Sequence, residues 1–320
     1  MIAGVDLDAV DRAAVDARPR LLAIAYRMLG SMSDAEDVVS DALEKARRSM
    51  PAEVSSVVAY LTTVTTRTAI DHLRSARVRR ERYVGPWLPE PVLRDPAPDA
   101  ADAAVLAESL SMAFLVVLEA LSPEERAALL LHDAFDYSHA EVAAILGRSE
   151  GASRQLLRRA RQRIKAERPR FDVDRRRHEA VVRGFLAACE GGGVDDFLAL
   201  LTDGAVLVSD GGAAVRAARR PVHGAERVAR FLANIIGRSR GDVTFRAAPI
   251  NGQPGVVLLV GRGVASAVLL DVGPDGRIAT VRIVVSPEKL GALQRGLAAT
   301  TDDRRPGEPA NQQRPPGQQQ

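Results

Sequence analysis

The sequence predicts a multidomain chain: two all-helical units followed by an α+β domain. Three observations predict it. The 320 residues exceed the usual size of one domain. Apolar residues recur at helical spacing up to about residue 170, whereas β-rich runs begin only after residue 200. Residues 84–104 carry five prolines, which forbid a long helix and mark a linker between the two helical units.

The first unit is expected over residues 12–83. Leu21, Ile24, Ala25 and Met28 share one helical face. Ser33 with Glu36 three residues later reads as a capping box opening a second helix. A third helix is expected from Ser56 to Arg80. The second unit is expected over 105–170. Ser122-Pro123-Glu124-Glu125 and Ser138-His139-Ala140-Glu141 read as capped helix starts, and Gly147 breaks a short helix before a basic one. The α+β domain is expected over 174–295. Two helices flank Gly191-Gly192-Gly193, and an amphipathic helix covers 224–237. The strands are Ala205–Val208, Val243–Ala248, Val256–Val260, Val264–Val272 and Ile278–Val285, forming a curved antiparallel sheet. Residues 296–320, rich in Pro, Gln and Gly, read as a disordered tail.

Composition excludes several classes. The single cysteine, Cys189, allows no intrachain disulfide and no cysteine-built zinc site, which points to a reducing compartment and a cytoplasmic protein. The five histidines show no metal-ligand spacing, and no apolar run is long enough to cross a bilayer. Neither a metal, a cofactor nor a membrane partner is expected.

Net charge is only +3, but it is unevenly distributed. Residues 67–82 carry a local +4 and residues 148–170 a local +7. Two basic blocks suit two contacts with a polyanion, and equally suit two solvated helix faces. In the first block Arg67, Asp71, His72, Arg74, Arg77, Arg79 and Arg80 project away from an apolar set, as phosphate contacts require. Just before it, Asp34, Asp37, Asp41 and Glu44 lie three or four residues apart and share one helix face. That face suits a basic protein surface or plain solvation.

Residues 138–163 fit a helix-turn-helix. In its second helix Leu156, Ala160 and Ile164 face inward. Arg148, Ser149, Glu150, Ser153, Arg154, Gln155, Arg158 and Arg159 occupy the turn and the part expected to meet base edges. Ser149 is the expected cap.

These fragments together resemble a bacterial sigma-70-class factor of the extracytoplasmic-function group. LLAIAYRMLGSMSDAEDVVSDALEKA resembles the segment that binds core RNA polymerase. YLTTVTTRTAIDHLRSARVRR resembles the segment that melts and reads the minus-ten element. LEALSPEERAALLLHDAFDYSHAEVAAILGRSEGASRQLLRRARQRI resembles the domain that reads the minus-thirty-five element. The linker motif Trp87-Leu88-Pro89-Glu90-Pro91 resembles the WLPEP signature of the subgroup with a SnoaL-like extension, a cone-shaped α+β roll. Asp210-Gly211-Gly212-Ala213-Ala214 and Ser286-Pro287-Glu288-Lys289-Leu290 resemble its DGGGK and NPDKL motifs.

The resemblance implies binding to core polymerase at the beta-prime clamp and beta flap, binding to promoter DNA, and regulation by the fused domain in place of a separate anti-sigma protein. It makes Asp210, Gly211, Gly212, Ser286, Pro287, Glu288, Lys289 and Leu290 an expected regulatory interface. Ala214 replaces the motif's lysine, and Arg216 is the expected substitute anchor. Trp87 is expected either to thread the polymerase or to anchor domains. Two other readings of the extension stand beside this one. His178, Asp210, His223 and Asp271 form a candidate acid-base set, although Asp210 before Gly211 also reads as a turn former. Phe185, Phe197, Phe231, Leu258 and Leu269 could line a pocket for a small ligand or form plain core.

Overall fold

The computed structural model describes residues 7–51, 54, 56–80, 83–93, 109–167, 174–238 and 243–302. The first unit is three long helices: α1 (Leu7–Leu29), α2 (Met32–Ser49) and α3 (Val57–Arg80). Leu21, Ile24, Met28, Val38, Val39 and Leu61 are buried between them. The cap of α2 differs from the expected one. Ser31, not Ser33, accepts from the Asp34 N–H, and Glu36 closes no box. The missing acceptor comes from the linker, as described below.

The second unit comprises α4 (Met112–Leu118), α5 (Pro123–Leu129), a π-helical turn at Leu130–Ala134, α6 (His139–Leu146) and α7 (Glu150–Glu167). Both expected capping boxes form, Ser122 with Glu125 and Ser138 with Glu141. Gly147 ends α6 in the left-handed conformation (φ 63°). The two helical units share one continuous apolar core, from Ala14 to Ile164.

The C-terminal domain holds α8 (Arg175–Gly191), α9 (Val194–Leu198), α10 (Ala225–Arg238) and α11 (Pro287–Asp302) around a six-stranded sheet of order β2-β1-β6-β5-β4-β3. The strands are β1 (Leu201–Asp210), β2 (Val222–His223), β3 (Val243–Ile250), β4 (Gln253–Val260), β5 (Gly263–Val272) and β6 (Ile278–Val284). All neighbouring pairs are antiparallel except β1 with β6, which run parallel, so the sheet is mixed rather than antiparallel. Helix α11 runs to Asp302, which corrects the tail expected from residue 296. Residues 303–320 lie outside the described residues.

Side chains alternate across a strand, so the sheet separates two cores. One face packs Leu207, Val256, Val268, Leu270, Val281 and Ile283 against α8 and α10. The other packs Ile250, Val257, Ala267, Leu269 and Val284 against Leu88 of the linker, Met112 of α4 and Leu290, Leu293 and Leu297 of α11. The sheet's second face is thus covered by the rest of the chain itself.

His178 on α8 is 7% exposed, and its Nε2 has no hydrogen-bond partner among the described residues. Burial holds its imidazole below the usual range, opposed by the Asp271 carboxylate. A histidine with a depressed folded-state pKa binds its proton more readily in the unfolded chain. Stability is therefore lost as pH falls below the unfolded value of about 6.5. Urea unfolding midpoints should fall between pH 7 and 5, and His178→Phe should show a flatter slope. Equal slopes would assign the acid sensitivity to other groups.

Candidate functional site

Three surfaces carry the predicted residues: the acidic face of α2, the basic residues of α3 and α7, and the linker against the C-terminal domain.

On α2, Asp37 and Asp41 are exposed and have no ion pair among the described residues. Asp34 is half-buried, 3.3 Å from His72 Nε2, and Glu44 pairs with Arg48. The open part of the acidic face is therefore Asp37 with Asp41.

The two basic surfaces touch each other. Arg67 Nε donates to the Ile145 carbonyl at 2.8 Å and its second nitrogen to the Ala144 carbonyl at 3.2 Å. Those carbonyls end α6, where the helix dipole favours a cation. Arg74 binds Asp71 on its own helix and Glu124 on α5, both at 3.0 Å. Arg148 binds the same Glu124 at 3.0 Å. The side chains of Arg77, Arg79 and Arg80 lie outside the described residues.

On α7, Ser149 caps as expected, accepting from the Ala152 N–H at 3.2 Å. Gln155 and Arg158 are exposed with no partner among the described residues, and Arg154 pairs with Glu150. One expectation is corrected here. Ser153 is 1% exposed, its hydroxyl without a partner among the described residues, so it cannot reach a base edge. Arg159 lies 3.6 Å from the buried Glu125, which also holds Arg163 at 2.6 Å. Both arginines help fasten α7 to α5.

Buried and half-buried arginines pin the helical units together. Arg126 of α5 donates to the Met28 carbonyl of α1 at 2.6 Å and the Leu118 carbonyl of α4 at 2.7 Å. Arg27 donates to Ser109 Oγ at 2.8 Å, and Arg20 to the Phe135 carbonyl at 2.8 Å. No pattern in the sequence distinguishes these arginines from the surface ones.

The linker is held at three points. Glu90 accepts from Ser31 Oγ at 2.8 Å, the Met32 N–H at 2.9 Å and Ser33 Oγ at 3.2 Å, supplying the acceptor at the start of α2. Burial raises its pKa, against these hydrogen bonds. Beside it Trp87 packs on Gly30, whose φ of 69° and lack of a side chain allow the approach. A Cβ there would sit 2.7 Å from the indole ring.

The second point is Asp210. Its carboxylate is fully buried and accepts from the Tyr83 hydroxyl at 2.7 Å, the Leu88 N–H at 2.7 Å and Lys289 Nζ at 2.6 Å. The Gly212 N–H adds a fourth bond at 3.1 Å. Lys289 also donates to the Leu88 carbonyl at 2.6 Å and lies 4.3 Å from the Trp87 ring centroid. The expected interface residues thus meet around Asp210, with Leu290 in the core beneath and Pro287 and Glu288 in the first turn of α11. The lysine is Lys289, and Arg216 takes no part. Asp210 is an anchor and a turn former at once, since it also accepts from the N–H two residues on. Trp87, Leu88 and Pro89 pack between domains in this conformation.

The third point is Asn251, which sequence reasoning missed. Its Nδ2 donates to the Tyr26 hydroxyl at 2.7 Å and the Leu110 carbonyl at 3.1 Å, while Oδ1 accepts from the Val92 N–H at 3.1 Å. One side chain joins both helical units, the linker and the C-terminal domain. The Asn251-Gly252 dipeptide between two strands was a legible turn signal; the burial of its amide was not.

Of the candidate acid-base set, only His178 and Asp271 come within electrostatic reach of each other, and the four do not assemble. Asp210 faces the linker, Asp271 pairs with Arg282, and His223 is exposed on β2. None of the four lines the cavity of about 390 Å³ beneath α8 and α10. Phe185, Phe231 and Leu258 do line it. Phe197 is core beside Phe185, and Leu269 points to the opposite face.

Residues 15–79 match the family description Sigma-70 region 2, and residues 111–164 match Sigma-70, region 4. The ECF RNA polymerase sigma factor SigJ of Mycobacterium tuberculosis is 37% identical over 283 residues, covering 85% of this chain and 90% of that protein. The probable ECF RNA polymerase sigma factor SigI of the same species is 31% identical over 282 residues, covering 88% and 94%. The crystal structure of M. tuberculosis SigJ matches with a TM-score of 0.66 at 32% identity, covering 87% of this chain and 96% of that one.

Proposed function

Because the chain belongs to the extracytoplasmic-function sigma factors of the sigma-70 class, we propose that its C-terminal SnoaL-like domain restrains promoter recognition by clamping the linker. Core RNA polymerase is bound through Asp37 and Asp41 on α2, against the beta-prime clamp. The minus-ten element is held by Arg67, Arg74 and the basic end of α3. The minus-thirty-five groove is read by the first turns of α7, with Gln155, Arg158 and Arg154 in reach of base edges and phosphates.

The observation that carries this reading is the contact of Arg67 with the end of α6. The two DNA-facing surfaces are hydrogen-bonded to each other, whereas their targets are nominally about 25 base pairs apart, roughly 80 Å of duplex at 3.4 Å per step. Residues 84–104, fully extended, reach about 70 Å. Nearly the whole linker must therefore be free, and Glu90, Leu88 and Val92 must leave their partners. The closed form is a resting state, and polymerase and promoter together favour the open one.

Reconstituted transcription with purified core polymerase and a pool of promoter fragments tests the reading. Intact chain should initiate at a defined subset of promoters. The double variant Asp37→Arg/Asp41→Arg should lose at least about tenfold in polymerase affinity, or about 1.4 kcal/mol, while its thermal unfolding is unchanged. Undiminished affinity would remove α2 as the docking face. Absence of promoter-specific initiation by the intact chain would defeat the reading as a whole.

A further inference from the structure

The cavity in the C-terminal domain has no role in the reading above. Its volume of about 390 Å³ lies within the range of small-molecule sites. Its walls are apolar, built from Phe185, Phe231, Phe245, Leu258, Val268 and Ile283. The hydroxyls of Ser209 and Ser266 lie in this wall, on residues 5% exposed, and neither has a hydrogen-bond partner among the described residues. Among the described residues, charge enters only at the mouth. Arg216 and Arg238 line it, both exposed, and no carboxylate of the described residues does. The nearby Cys189 thiol is pushed up to about 12 by burial, so it adds no negative charge. An apolar chamber with two hydroxyls inside and cations only at its rim fits one kind of guest.

The same residues adjoin the linker clamp. On β1, Ser209 faces the cavity and Asp210, the next residue, faces the linker. After β6, Val285 faces the cavity and Ser286, the next residue, packs beside Gly212 and Tyr83. The Val285 and Ser286 N–H groups both donate to the Asp210 carbonyl, at 2.8 and 3.1 Å. The loop carrying Arg216 also roots at this point. A Cβ on Gly211 would lie 2.4 Å from the Val215 carbonyl oxygen, so the loop is folded tightly back onto Asp210-Gly211. A guest that moves the rim loop or the ends of β1 and β6 moves the anchor of the linker.

We propose that this cavity binds an apolar small molecule ending in a single anionic group, and that its occupancy is transmitted to the linker through Asp210. The transmission half rests on the reading of the linker as a clamp; the binding half does not. The guest acts on the clamp only through different affinities for the held and released arrangements.

The test uses the intact chain, with decanoate as the probe and decanol as its uncharged counterpart. Trp87 is the chain's only tryptophan and sits on Lys289, so its fluorescence reports the clamp directly. Decanoate should bind saturably by calorimetry, at least tenfold tighter than decanol, and Trp87 emission should change along the same isotherm. Arg216→Gln/Arg238→Gln should abolish the preference for the acid and leave decanol binding in place. Ser266→Phe, which fills the chamber, should abolish binding of both; Ala265→Leu, a smaller filling, should weaken both if the larger change prevents folding. No saturable binding of either compound would overturn the site. Equal binding of acid and alcohol to the unaltered chain would overturn the anionic end. Tight binding with unchanged Trp87 emission would overturn the transmission. Transcription by the chain without either compound reads the sigma function separately, so that reading stands or falls on its own.

Discussion

Lys289→Met destabilises the attachment of the C-terminal domain by about 3 kcal/mol, toward the low end of the 3–5 kcal/mol typical when a buried ion pair loses one partner. The reason is the carboxylate left behind. Asp210 is fully buried, and Lys289 is its cationic partner at 2.6 Å. The low end applies because the carboxylate keeps the Tyr83 hydroxyl and the Leu88 and Gly212 N–H groups. The double variant Asp210→Asn/Lys289→Met should recover most of the loss, since no unpaired charge then remains. Urea unfolding followed by far-UV circular dichroism gives the stability, and limited proteolysis within residues 83–93 gives linker release. Unchanged protease resistance in Lys289→Met would show that the Lys289–Asp210 pair does not hold the linker.

The second large effect is opening of the two helical units. Arg126→Met strands the buried Met28 carbonyl of the first unit, whereas the Leu118 carbonyl keeps the Leu121 N–H. One unsatisfied buried group costs about 1–3 kcal/mol, so the closed form loses about 2 kcal/mol. At 1.4 kcal/mol per tenfold, that raises the open fraction about thirtyfold. Arg126 is 3% exposed and touches neither proposed DNA surface, so its effect is not confused with lost DNA contacts. Small-angle scattering should show a larger radius of gyration at unchanged helix content, and promoter fragments should bind more tightly to the variant holoenzyme. A compact variant with no gain in promoter binding would mean that Arg126 stabilises the second unit internally and does not govern opening.

The helices and their ends were legible because they depend on neighbours in sequence. Ser122 with Glu125, Ser138 with Glu141, Gly147 and the inward face of Leu156, Ala160 and Ile164 all follow from spacing of three or four residues. The start of α2 shows where this stops. Ser33 and Glu36 have the capping-box pattern, but Ser31 and the distant Glu90 do the capping. Local pattern ranks both serines alike; only the path of the linker decides between them.

The same division holds for function. Sequence by itself determined the three units, the proline-rich link, the helix-turn-helix, the acidic face and the family, because each is written in local periodicity, charge and motif. The tertiary structure alone decided that β1 lies parallel to β6, and that Arg67 and Arg74 are turned onto the second unit. It alone paired Asp210 with Lys289 and left Arg216 out. It placed the Asn251 amide where four segments meet, and left the acid-base set apart from the cavity. These outcomes depend on contacts between residues up to 225 positions apart. A carboxylate, an arginine or an amide has the same appearance in sequence whether solvated or buried. Its partner, and with it the energy of the contact, is set by which distant surfaces the apolar cores bring together.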